Sequence, residues 1–114
     1  MRRPLFLGGL IMEISKEKLS LKILQTYHYS EVMANNIAQD LLTHAPASLI
    51  PSIRAWVDGT PLPEDSSEEY SVSRILRLRG NNDFIEAFRL YIAYSQDPEM
   101  GKSMICHPAR LLRV

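Results

Sequence analysis

Helix breakers stand at short intervals along this chain: Pro46, Pro51, Gly59, the triplet Pro61-Leu62-Pro63, Gly80 and Pro98. Between them apolar residues recur every three or four positions, so the helices this pattern permits are short. A short helix is marginal alone in water and is held mainly by burying one face against neighbours. The chain is therefore expected to fold as an all-α single domain of about five short helices around one shared core. Its 114 residues, 46% of them hydrophobic and 23% charged, suffice for one such core and no more.

The individual elements follow from caps and periodicity. Ser15 is placed to cap a first helix, with Ile14 and Leu19 as a hydrophobic staple and Leu19, Ile23, Leu24 and Tyr27 as its buried stripe. Ser30 caps a second, whose inner face is read as Met33, Ile37 and Leu41 with Ala34, Ala38 and Leu42, and which Pro46 ends. Ser48 is expected to cap a third helix, with Pro51 in its first turn, Ile50, Ile53, Trp56 and Val57 at helical spacing, and Gly59 as its left-handed stop. Thr60 to Pro63 must leave the helix, and the acidic run near residues 60–70 reads as a solvated loop in which Ser66 and Glu69 could form a capping box.

Residues 70–79 fit two patterns. As a helix they group Val72, Ile75 and Leu76 inside and leave Arg74 and Arg77 outside; as a strand they align Tyr70, Val72, Leu76 and Leu78. Gly80 followed by Asn81 and Asn82 favours the helix, because it supplies a stop and a restart. A last helix from about Asp83 to Ser95 presents Phe84, Phe88, Tyr91, Ile92 and Ser95 on one side, with Glu86 in reach of Arg89. Pro98 lies beyond its end, and the short apolar tail GKSMICHPARLLRV is expected to add an extended segment to the core.

Residues 1–11 join two arginines to an apolar run too short to cross a bilayer and without a small-x-small cleavage site. They read as a flexible N-terminal extension from an upstream start, with Met12 as the natural start and 12–114 as the domain. Formal net charge is zero, but residues 12–70 carry four basic and nine acidic side chains, while 71–114 carry seven basic and four acidic. Such an asymmetry fits mutual attraction of the two halves, or a basic face offered to nucleic acid.

The chemistry-bearing residues are sparse. There is no phosphate-binding glycine loop, no nucleophile elbow and no kinase or hydrolase motif. Cys106 beside His107 lacks a second ligand cluster, and Glu64, Asp65, Glu68 and Glu69 lack a basic companion, so no catalytic residue, metal or cofactor is assigned. The single cysteine rules out an internal disulfide framework and fits a reducing compartment, and no segment is read as a membrane span.

The spacing Ile53-x-x-Trp56-x-x-Gly59-x-x-x-Pro63 resembles the end of a phage-repressor-type helix-turn-helix. That resemblance implies Ser52, Arg54 and Ala55 as groove readers. It spans eleven residues, and THAPAS stands where the motif's turn glycine would be. A second helix-turn-helix outline surrounds Gly80, with Arg74, Arg77, Arg79 and Arg89 nearby, the first three as contacts for DNA or for a protein partner. More broadly, ILQTYHYSEVMANNIAQDLL, IPSIRAWVDGTPLPE and DFIEAFRLYIAYSQDP resemble small uncharacterised proteins carried on mobile genetic elements of gut anaerobic bacteria. The resemblance implies a cytoplasmic bacterial protein serving an element's maintenance, regulation or conflict with its host. The functional expectation is a non-catalytic protein-interaction module, compatible with self-association, with a small DNA-binding regulator as the alternative.

Overall fold

The computed structural model describes residues 14–63 and 69–106, and among them every regular element is helical. The six α-helices are α1 (Lys16–Tyr27), α2 (Glu31–His44), α3 (Ile50–Asp58), α4 (Val72–Arg79), α5 (Phe84–Gln96) and α6 (Pro98–Cys106), with a single 3-10 turn, Ala47–Leu49, leading into α3. The N-terminal extension, the expected Ser66–Glu69 capping box and His107 fall wholly or partly outside the described residues.

Caps set most of the boundaries. The hydroxyls of Ser15, Ser30 and Ser71 accept from the backbone amides of Lys18, Met33 and Arg74, each satisfying an orphan donor of a helix start. Gly59 and Gly80 end α3 and α4 at φ 75° and 69°, a region that costs a side chain but not glycine. His28 adopts the same left-handed conformation at the end of α1, and its amide donates to the Leu24 carbonyl. Residues 70–79, readable as helix or strand, thus resolve as bend and helix.

Three expectations need correction. Ser48 does not cap α3: it lies inside the 3-10 turn, and its hydroxyl is 2.7 Å from the Tyr91 hydroxyl on α5. Residues 98–106 form a sixth helix rather than an extended segment, because Asp97 accepts from the Met100 amide and Pro98 opens the helix at a position that needs no donor; the rest of the expected extended tail lies outside the described residues. On α2 the expected Ala34, Ala38 and Leu41 are buried and Ile37 and Leu42 pack partly buried against the core, but Met33 of the expected face is exposed. The small side chains of Ala34 and Ala38 let α1 lie close against α2, with Leu19 and Ile23 fully buried between them.

Buried residues of all six helices form one continuous core. The hub is α5, which packs against α2, the 3-10 turn, α4 and α6. Trp56 of α3 stacks on Phe84 at 5.7 Å between centroids and meets the edge of Phe88 at 5.8 Å, while Lys22 of α1 stands over the indole. At the other end of α5, Tyr70 packs edge-on to Tyr94. The charge asymmetry is bridged at the surface by Glu69 and Lys102, 3.5 Å apart and both half-exposed. Such a pair contributes little to stability.

Tyr27 ties the first helical pair to α5. Its hydroxyl donates to Asp83 Oδ1 at 2.7 Å and accepts from the Ile85 amide at 3.4 Å, and the same carboxylate caps α5 through the Glu86 amide. Burial, then the bond to Asp83, raises the phenol from its ordinary 10 to about 12. The folded state therefore holds this proton more tightly than the unfolded chain. Its stabilisation is complete below pH 10 and is lost as pH rises towards 12. Tyr27→Phe is expected to cost about 1 kcal/mol near neutrality. Urea melts at pH 9 and 11.5 check the linkage: the wild type should lose more stability between them than the variant, and equal losses would refute it.

Candidate functional site

The five residues singled out in the sequence fall into three environments. Ser52 and Arg54 lie half-buried on α3. Arg54 lines a depression of about 520 Å³ with Ile14, Ser15, Glu17 and Lys18 from the start of α1 and with Val57 and Asp58. Glu17 there is held below the usual carboxylate range, first by its own backbone amide and then by the Ser15 hydroxyl, which donates to it at 3.0 Å. The repressor-like reading also needs Ala55 at a groove, but Ala55 is 6% exposed and turned to the core beside Trp56. The spacing from Ile53 to Gly59 is accounted for by core anchoring and helix termination.

Arg79 occupies a different setting. The Gly80 turn brings it back onto α5, where its guanidinium meets the Glu86 carboxylate in a half-sequestered ion pair and Asn81 donates to the same carboxylate at 3.2 Å. Its Nε is buried without a hydrogen-bond partner, so the side chain is committed to the hairpin. Glu86 is thereby engaged by Arg79, not by Arg89 as helix spacing alone suggested. Tertiary folding of the turn overrides an i,i+3 pairing worth only a few tenths of a kcal/mol.

Arg74 and Arg77 remain exposed, one turn apart on α4, and Arg74 lies over the Tyr70 ring at 5.6 Å. Beneath it, the Tyr70 hydroxyl and the exposed Cys106 thiol are 3.3 Å apart, an arrangement that, with burial, pushes the phenol up to about 12. The structure thus pairs Arg74 with Arg77 and gives Arg79 and Arg54 separate tasks. Among the described residues no three or more His, Cys, Asp or Glu side chains are gathered so as to hold a metal ion. No helix among them is long and apolar enough to cross a membrane.

One surface combines a tyrosine, a residue type expected as contact material, with two apolar residues not singled out as contacts in the sequence. At the corner between α1 and α2, Tyr29, Val32 and Met33 are exposed, Val32 to 70%, and Tyr29 stacks on Tyr27 with ring centroids 5.5 Å apart. Its signal in the sequence was the choice between two adjacent stripes on α2. Placing Ala34, Ala38 and Leu41 inside turns Val32 and Met33 out, and the apolar character of Met33 masked that choice.

Comparison of the chain with protein-family models, with curated proteins and with solved structures found no match to any of them.

Proposed function

We propose that the protein is a non-catalytic protein-interaction module. The observation that carries the reading is the exposed set Tyr29, Val32 and Met33 on one helical corner. Aromatic and methionine side chains are enriched where proteins meet, and a valine so exposed gains most when a partner covers it. The resemblance to proteins of mobile elements supports a cytoplasmic bacterial setting, with a partner encoded by the element or by its host. A photo-crosslinker at position 32 is expected to give a discrete protein adduct in bacterial cells, and Met33→Glu should abolish it. A crosslinker at exposed Ser103 should give none. Equal yields from both positions, or an adduct indifferent to Met33→Glu, would sink the proposal. An adduct with a second copy of the chain would make the partner itself.

A DNA-binding role is the second reading, and it rests on Arg74 and Arg77. Both are exposed and neither makes an ion pair among the described residues. If they contact phosphates, mobility shifts on mixed duplex DNA should weaken steeply with salt. Replacing both by alanine should shallow the salt slope by about 2. Absence of binding at low salt would eliminate this reading.

A further inference from the structure

The stripe that begins at Met33 does not stop at the α1–α2 corner. Met33, Ile37, Asp40 and His44 are spaced four, three and four residues apart on α2, so they share one face about 16 Å long. Its far end opens into a groove of about 320 Å³ between α2 and α5, lined by Asp40, His44, Arg89, Ile92, Ala93 and Gln96. The α5 residues of that lining are themselves at helical spacing, so two helix faces meet along it.

The charges in the groove are unevenly matched. Asp40 has a neighbour of its own, His44 Nε2, at 3.4 Å. Arg89 is exposed and has no ion-pair partner among the described residues, because Glu86, the carboxylate one turn before it, is taken by Arg79 and Asn81. A guanidinium is permanently charged and presents a planar fork of donors that suits a carboxylate. Here it sits beside the nearly buried Ile92, where apolar neighbours reduce solvent screening. The walls are open, with the Asp40 and His44 side chains more than half exposed. A free small molecule would not be enclosed as ligand pockets enclose theirs, whereas a side chain carried on a larger surface would fit.

We propose that this strip docks an acidic amphipathic segment of a partner protein, with an apolar side chain against Met33 and Ile37 and a carboxylate on Arg89. The inference rests on the interaction-module reading and adds the chemistry of the partner. Asp40 supplies selectivity, since a second acid opposite it would meet a like charge. The partner pattern is therefore an apolar residue and one acid roughly 10–16 Å apart, about two to three turns on a helix.

The test is selection of a random peptide library displayed on phage against the full chain, followed by fluorescence anisotropy on the most enriched peptide. Enriched sequences should combine apolar residues with an aspartate or glutamate. Arg89→Glu and Arg89→Gln should each weaken binding about tenfold or more, the scale of losing one partner of an interfacial charge pair. The control Arg77→Glu should change it less than twofold, and circular dichroism should show all three variants folded. If Val32→Glu/Met33→Glu abolishes binding while the Arg89 variants do not, the interaction module stands and the acidic-segment inference falls. If no enriched peptide is sensitive to either set, both fall. Displacement of the peptide by a short DNA duplex through Arg89 would also overturn the inference, by assigning the groove to phosphate.

Discussion

Phe88→Ala is expected to remove about 3–5 kcal/mol of stability, the range for emptying a fully buried aromatic site. Phe88 has no solvent exposure and stands on α5, which packs against α2, the 3-10 turn, α4 and α6. Its ring meets Trp56 edge-on and Phe84 at 6.2 Å, so one truncation loosens the contact between α3 and α5 as well as creating a cavity. Against the roughly 5–15 kcal/mol that holds a domain of this size, such a loss threatens folding at physiological temperature. The lone tryptophan, Trp56, reports the event directly. Urea titration followed by its fluorescence should show the midpoint falling with little change in slope, and Phe88→Leu should retain most of the stability. A loss below 1 kcal/mol for the alanine variant would mean that α5 is not the hub of this fold.

How far the sequence discloses the fold depends on where the deciding interaction is local. Ser15, Ser30, Gly59 and Gly80 act through backbone atoms within four residues, and each does in the structure what its position implied. Ser48 fails because its partner, Tyr91, lies 43 residues away. The sixth helix was legible: Asp97-Pro98-Glu99 is a cap, a proline at the helix start and a first-turn acid. Reading Pro98 only as a terminator hid it, since proline both ends one helix and opens the next.

The candidate site was less legible, for a physical reason. Arginine spacing on a linear chain does not reveal which guanidinium will be claimed by a carboxylate across a turn. Arg79 is claimed in this way by Glu86, and Arg89 is left without that partner. The exposed corner at Tyr29, Val32 and Met33 turned on rotating α2 by about one residue, a choice settled by how closely α1 can approach Ala34 and Ala38. Periodicity specifies that a helix has an apolar face. When apolar residues adjoin along its circumference, only packing selects which of them is buried.

Gly101→Ala poses two opposed effects whose balance tests the packing of α6. In an open helix the exchange would stabilise by about 0.5–1 kcal/mol, because alanine loses less backbone entropy. Here a Cβ on Gly101 would run into the Tyr94 backbone on α5 and come within 2.8 Å of the Tyr94 Cβ. Backbone atoms cannot turn aside as a flexible side chain can, so α6 must move away from α5. Overpacking of this kind costs about 1–3 kcal/mol and occasionally more, which outweighs the propensity gain. The cost is bounded by the alternative of undocking α6, which would expose Ile105 and separate Cys106 from Tyr70 and Lys102 from Glu69. The expected result is local: amides of α6 exchange with solvent at least tenfold faster, while those of α1 and α2 keep their protection. Tyr70, released from Cys106, should then titrate below its native value of about 12. Unchanged or slower exchange in α6 would show that the two helices do not pack through Gly101.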